Sequence, residues 1–475
     1  MKRLAVLLTC LVFLGVAVEA DAQEYRATID GRVVDQSGAA MSGVTVTVTN
    51  TATGAHADGK TESDGLYTVP GLVPGPYEIT VEVAGFEKYD HTGINLVTEQ
   101  HDTENIALQV GGTSQTVQVT ADSALIDTQT ASLGQVLTTG EVEDLPSNGR
   151  SPIGLVRDEF GVIPKEKHSL TEARPIDNSG SSDFAMGGGN SQSNEILLNG
   201  SPNMEDNSRY SAFSPEMDSV AQVSAEDFQG SAVYGDTSNG TVNITTKSGT
   251  NDFHGTLSEF NETPVGAARL FFNPVTTHAP ATHWNQYGGT IGGPVEIPKL
   301  FNGKNKIFFF YAFEGFKDST PSATVTTVPT ALERTGDFSA LLALGSAYQL
   351  YNPYTAVTSG GVTTRQKIPN NILTATNAMA DGLGAAGAVP GAGLTLDSVA
   401  LKLLQYYPMP NYTLTTAADG ANNYFSNTAS TDNYYSNEGR LDINISQSNK
   451  AFFEIHTSYV DTVSGNLFKN LATGS

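Results

Sequence analysis

The stretch GRLDINISQSNKAFFEIHTSYV, residues 439–460, alternates in polarity along two arms. Leu441, Ile443 and Ile445 fall on one face of the first arm, and Arg440, Asp442 and Asn444 on the other. A QSNK turn follows, and Ile455, Thr457 and Tyr459 then oppose Glu454, His456 and Ser458. A period of two marks a β-strand, because successive side chains leave the backbone on opposite sides. Here one face is apolar and the other is charged. That division, held over about ten residues, suits a sheet with lipid on one side and water on the other. Past the N-terminal leader, no segment reaches the roughly 18 consecutive apolar residues of a spanning helix, so a membrane crossing must be made by strands.

Charge narrows the choice of partner. Acidic residues number 50 against 25 basic ones, a formal charge of −25, so nothing neutralises phosphates and nucleic acid is excluded as a partner. Only 16% of the chain is charged, and it holds 48 glycines, a mixture that suits β-structure with long polar loops. Lys2 and Arg3 precede the apolar run LAVLLTCLVFLGVAV, and Ala-Asp-Ala at 20–22 has the small-x-small cleavage pattern. Residues 1–22 therefore read as a signal peptide cut after Ala22. The rival, a lipoprotein signal at Cys10, places that cysteine inside the apolar run. Cys10 is the only cysteine, so a processed chain has no disulfide and no thiolate metal site.

Residues 23–110 carry strands at roughly ten-residue spacing with turn signals between them, the pattern of a β-sandwich. In GVTVTVTNTATG, Val44, Val46 and Val48 share one face. Gly31, Val33, Asp35, Gly38, Gly43, Asp64-Gly65-x-Tyr67, Leu72-x-Pro74-Gly75-x-Tyr77 and Gly85-Phe86 resemble the carboxypeptidase regulatory-like domain. That resemblance implies a rigid module of the carbohydrate-binding-like fold group, without peptidase activity. His101-x-x-Glu104 mimics the first zinc motif of metallocarboxypeptidases. A catalytic zinc needs a third protein ligand, and none follows at a matching distance. His168, His254 and His283 also lack metal-ligand spacing, so neither metal, cofactor nor enzyme activity is expected.

Residues 111–250 read as a small, loop-rich α+β domain. LGQVLTTGEVEDLPSNGR holds a short helix and then a loop at Pro146; NEILLNGSPN is a strand ending in a turn; PEMDSVAQVSAED is a turn followed by a strand. The motif residues Leu145, Pro146, Asn148, Gly149 and Arg150, then Leu198-Asn199-Gly200, Tyr234, Gly235, Gly240, and Lys247, Ser248 and Gly249 within TKSGTN resemble the plug domain of TonB-dependent outer-membrane receptors of the Oar-like group. The segment LVRDEFGVIP, residues 155–164, is more charged than is usual there, and AQVSAED lacks the expected glutamate–aromatic pair. The glycines between Gly240 and Gly249 permit sharp turns and close backbone approach to a surrounding wall.

The expected architecture is mainly β: a sandwich, an α+β plug and, over residues 251–475, the beginning of a transmembrane β-barrel. NKIFFFYAFEGF is an aromatic-rich strand suited to an interface girdle, and Asp318 to Asn437 reads as one long exposed loop. IPNNIL, residues 368–373, and LLQYYPMPN, residues 403–411, are similar to loop landmarks of Oar-type receptors. Thr116, Val117, Gln118, Val119 and Thr120, after the Gly111-Gly112 pair, form a short strand that looks isolated. It resembles a TonB box, which implies pairing with the TonB C-terminal domain; the alternative is a plug or sandwich strand. A barrel of about 22 strands needs roughly 220 residues for strands alone. Only five or six strands can be counted here, and the chain ends in LATGS, so the sequence reads as a fragment lacking most of the barrel. The resemblance implies an outer-membrane transporter in contact with lipid, its sandwich and plug on the periplasmic side, importing a bulky nutrient such as an oligosaccharide. A secreted or surface-attached β-rich adhesin is the alternative.

Overall fold

A computed structural model describes residues 25–111, the backbone of 116–120, and residues 133–145, 147, 149–159, 161–164, 182–227, 239–265, 268, 282–373, 398–412, 420–447 and 449–470. The signal segment with Ala22, and the motif residues Pro146, Asn148, Tyr234 and Gly235, lie outside the described residues. The chain divides into two compact units, Met1–Phe260 with Gln286–Phe316 and Tyr434–Val460, and Asn261–Asn285 with Lys317–Asn433 and Asp461–Ser475.

The N-terminal module is a two-sheet sandwich. One sheet places strand Ala27–Asp35 between Leu66–Leu72 and His101–Thr103, with Ile106–Leu108 also pairing to it. The other runs His56–Lys60, Thr45–Asn50, Gly75–Val81, Lys88–Leu96 and Thr116–Thr120. Alternation supplies the core: Val44, Val46 and Val48 are buried from one sheet, and Ile29, Val33 and Val69 from the other. Tyr67 Oη donates to the Glu104 carbonyl at 2.8 Å, closing one end of the sandwich. Gly31 is obligatory at that place, since a Cβ on it would collide with the Glu104 carbonyl.

The strand that looked isolated is docked. Thr116–Thr120 runs parallel to Lys88–Thr92 as an edge strand of the sandwich. Its register matches residue by residue, from Lys88 with Thr116 to Thr92 with Thr120.

The plug is built on a five-stranded sheet in the order Leu133–Leu137, Val220–Asp227, Thr241–Thr246, Glu195–Leu198 and Ser201–Pro202. Every residue of Thr241–Thr246 is buried, as befits its central place. Helix Thr139–Asp144 starts with a capping box, in which the Glu141 carboxylate accepts from the Thr138 amide at 2.8 Å. Val142 drops from this helix into a core with Ile153, Phe184, Val223 and Ile244. At the start of the charged segment, Leu155 and Val156 join the core.

Five long strands form a further sheet, in the order His254–Glu262, His283–Pro294, Ile307–Thr326, Tyr424–Asn444 and Lys450–Val463. Among the described residues its two edge strands have a single neighbour each. Alternation is visible throughout: Asp432, Tyr434, Ser436, Glu438 and Arg440 are buried on Tyr424–Asn444, while the residues between them are not. The opposite face is apolar and open, with Leu257 94% exposed and Phe453, Ile455 and Tyr459 also exposed. That is the face a lipid environment would cover. The aromatic strand splits its rings between the faces. Phe308, Phe310 and Phe316 are buried, so only the alternate positions, such as the exposed Tyr311, can serve an interface girdle.

The long loop is shorter than the sequence suggested, and its described residues are folded. Strand structure continues to Thr326 and resumes at Tyr424, because Ser-, Thr- and Val-rich flanks keep the extended backbone that β-branched residues favour. Between them, Asn423 exchanges two 2.8 Å hydrogen bonds with the Val328 backbone and closes the base. Arg334 donates to the carbonyls of Leu404, Tyr407 and Pro408, which gives LLQYYPMPN a structural role. Asn371 of IPNNIL is fully buried and bonds Gln349, Leu350 and Tyr348.

Candidate functional site

The plug meets the sheet wall through a polar seam. Period two places Glu438, Arg440 and Asp442 on one face of Tyr424–Asn444, and Glu454 and His456 on the neighbouring strand. Plug side chains reach them all along this line. Ser219 Oγ donates to Glu438 Oε2 at 2.9 Å. Asn199 Nδ2 lies 2.8 Å from both Glu454 oxygens, and Thr246 Oγ1 donates to Glu454 Oε1 at 3.0 Å. Arg440 Nη1 donates to Thr246 Oγ1 at 3.1 Å and Nη2 to the Tyr25 hydroxyl at 3.3 Å. Asp442 holds the same guanidinium at 3.0 Å from Nε and from Nη2. Asn199 sits at positive φ in the turn after Glu195–Leu198, which lets its amide bridge Thr246 and Glu454. The alternating charges of 440–456 were readable as one polar face. Their plug partners were not, since they lie about 200 residues or more away along the chain.

A second carboxylate group lies on the same side of the wall. Gln286 Nε2 donates to Glu314 Oε1 at 2.5 Å. Glu216 of the plug packs its carboxyl against Gly288, where a Cβ would strike it. Burial above all, helped by Glu314, Asp218 and Glu438, pushes the Glu216 carboxyl up to about 9. Folding therefore keeps a proton that the unfolded chain releases near its ordinary value of 4.5. The folded state binds more protons between those values, so stability from this group is full below 4.5 and falls as pH rises towards about 9. Glu216→Gln is expected to remove that part of the decline, by at most about 1.4 kcal/mol per pH unit. Urea unfolding of both chains at several pH values checks this, and identical pH profiles would count against it.

The plug motif residues take separate places. Leu145 caps the helix and is exposed. Gly149 and Arg150 both have positive φ, turning the chain so that Arg150 Nη2 reaches Asp218 Oδ1 at 2.5 Å and its guanidinium lies 3.9 Å over the Phe260 ring. Gly240 lies against Met186 and the Glu226 carbonyl, and Gly249 between the carbonyls of Gly293 and Phe309. Lys247 Nζ pairs with Glu143 at 2.6 Å, and Ser248 lies beside it, half-buried. The sandwich also holds the plug: Thr98 donates to Gln222 Oε1 from its amide at 2.9 Å and its hydroxyl at 3.0 Å, and Asn243 Nδ2 donates to Glu99 at 3.1 Å. The two residues of the zinc mimic take separate surroundings. His101 is exposed, and Glu104 instead faces His91 Nδ1 at 3.2 Å.

A plug hydrogen-bonded to the polar side of a wall with an apolar outer face defines the class: an outer-membrane β-barrel protein with an internal plug. The outer membrane beta barrel domain family matches residues 245–475, and the carboxypeptidase regulatory-like domain family matches residues 28–109. The TonB-dependent transporter Oar of Myxococcus xanthus is 24% identical over 293 residues, 60% of this chain and 26% of the relative. The chain thus carries an outer membrane beta barrel domain and a carboxypeptidase regulatory-like domain, is similar to a TonB-dependent transporter, and spans about a quarter of the length of that curated relative. Among solved structures, the Escherichia coli outer membrane transporter YddB aligns with TM-score 0.37 and 8% identity, over 70% of this chain and 33% of that one. A mutant of the ferric enterobactin receptor PfeA from Pseudomonas aeruginosa, in complex with enterobactin, aligns with TM-score 0.34 and 14% identity, over 73% and 36%.

Proposed function

We propose that the chain serves TonB-dependent uptake of a bulky nutrient of the oligosaccharide class, without catalysis of its own. The observation that carries this reading is the seam. Ser219, Asn199 and Thr246 tie the plug to the wall by hydrogen bonds to carboxylates. Polar groups of this kind can pair with water instead once the plug moves, so a plug held by them can part from the wall without leaving its donors unpaired. The working division is a sandwich over 23–110, a plug over 111–250 and barrel wall over 251–475, with the sandwich and plug on the periplasmic side. The oligosaccharide class is supported by the carbohydrate-binding-like fold group to which the N-terminal domain is similar.

The partner is the TonB C-terminal domain, and Thr116–Thr120 is its proposed docking strand. An edge strand offers main-chain donors and acceptors to an added strand with few demands on side chains. Among the described residues Thr116–Thr120 pairs along one edge alone. Val117→Pro removes a ladder donor and is expected to abolish capture by immobilised TonB C-terminal domain. Capture equal to that of the unchanged chain would sink the docking strand. Binding of purified chain to an oligosaccharide array tests the nutrient class separately. Retention in outer-membrane vesicles after an alkaline wash separates a wall embedded in lipid from an adhesin, which would wash off.

A further inference from the structure

Two carboxylates and one imidazole converge where the wall meets the plug. Glu438, Glu454 and His456 each offer a ligand atom, and these atoms lie within 4.8 Å of one another. Glu438 is 2% exposed, yet its Oε1 is buried with no hydrogen-bond partner. His456 Nδ1 is likewise buried and unpartnered. Its other nitrogen stands 3.6 Å from Glu454 Oε1, too far for a hydrogen bond. The imidazole is held in place by Phe213, whose ring centroid is 4.5 Å away. A buried carboxylate oxygen and a buried imidazole nitrogen are each costly to leave unpaired, so their convergence points to an occupant between them.

Charge identifies the occupant. Arg440, two residues from Glu438, is already held by Asp442 through Nε and Nη2. The hydrogen-bond donors to Glu438 and Glu454 from the plug are a hydroxyl, an amide and another hydroxyl, all neutral. The plug thus brings no cation to these two carboxylates among the described residues, and a divalent cation seated between the three ligand atoms would supply the counter-charge. Mixed carboxylate and imidazole ligands suit zinc and neighbouring first-row ions more than calcium or magnesium, which prefer oxygen alone. Tetrahedral ligand atoms on bonds of about 2.1 Å stand about 3.4 Å apart, so the set has to close by up to about 1.4 Å on binding. We propose that Glu438, Glu454 and His456 form a site for a divalent transition-metal cation, with solvent completing the coordination. Ser219, Asn199 and Thr246 then orient its carboxylates from the plug side.

This site is independent of what the receptor imports. The test is calorimetric titration of zinc chloride into the full, tag-free, chelator-stripped chain in detergent, repeated with cobalt(II) and visible absorption. One stoichiometric site per chain, with cobalt bands that shift when the cluster is altered, is the expected result. Glu438→Gln and His456→Gln are each expected to weaken zinc binding by about 10-fold or more, while His101→Ala leaves it unchanged. Glu438→Gln keeps size and shape, so a fold failure of His456→Gln does not decide the matter. Absence of a stoichiometric site, or equal affinity in the unchanged chain and Glu438→Gln, would overturn the proposal, the second result meaning adventitious binding elsewhere.

Discussion

Arg440→Ala is expected to destabilise the plug–wall assembly by about 3–5 kcal/mol, because removing one partner strands an uncompensated charge on the other. Arg440 is 4% exposed and contacts Asp442, Thr246 and Tyr25 through three of its nitrogens. It also lies 5.0 Å from the Phe452 ring centre. Alanine removes the donors and the packing stem together. Arg440→Met keeps much of the stem, so its loss measures the charge and hydrogen bonds. A paired change, Arg440→Met with Asp442→Leu, is expected to recover part of the loss, since replacing both members of a buried pair costs less than breaking it. Urea unfolding in detergent, followed through the emission of the single tryptophan, Trp284, gives all four values. An Arg440→Met chain as stable as the unchanged one would mean that the ion pair contributes nothing.

Gly249→Val is expected to cost about 3 kcal/mol or more by overpacking. Gly249 follows the last plug strand, where the chain passes on to the wall. A Cβ there would stand 2.7 Å from the Gly293 carbonyl and closer still to that of Phe309. Both obstacles are backbone atoms of sheet strands, which cannot rotate aside as a side chain can. Gly140 provides the contrast. It lies within helix Thr139–Asp144, and a Cβ there meets nothing within 4 Å. Gly140→Ala is therefore expected to stabilise by roughly 0.5–1 kcal/mol. The same fluorescence assay, with protease resistance in isolated outer membranes, compares the two. A Gly249→Val chain that matches Gly140→Ala would refute the close approach.

The parts legible in the sequence are those fixed by local chemistry. Val44, Val46 and Val48 announce a buried strand face by alternation alone. Thr138 and Glu141 mark the start of the plug helix three residues apart. The polar and apolar faces around Arg440 and Ile455 follow from the pleat. What stayed hidden depends on distance along the chain or on weak local signal. Ser219 and Glu438 meet across 219 intervening steps, and Asn199 and Glu454 across 255. Parallel pairing of Thr116–Thr120 with Lys88–Thr92 leaves no hairpin turn to betray it. The outer parts of the two longest strands are built from threonine, serine and asparagine, which read as loop until neighbouring strands supply partners. The convergence of Glu438 with His456 needed two adjacent strands in known register.

Thr98 has a mechanical consequence. Its amide and hydroxyl fasten the sandwich to Gln222, and its hydroxyl also touches Thr245, on the two central plug strands. Traction applied to the sandwich sheet thus arrives at the middle of the plug as a sideways load on a few short bonds. Those bonds are fewer than the ladder bonds within either β-sheet, so under such a load they are expected to part first.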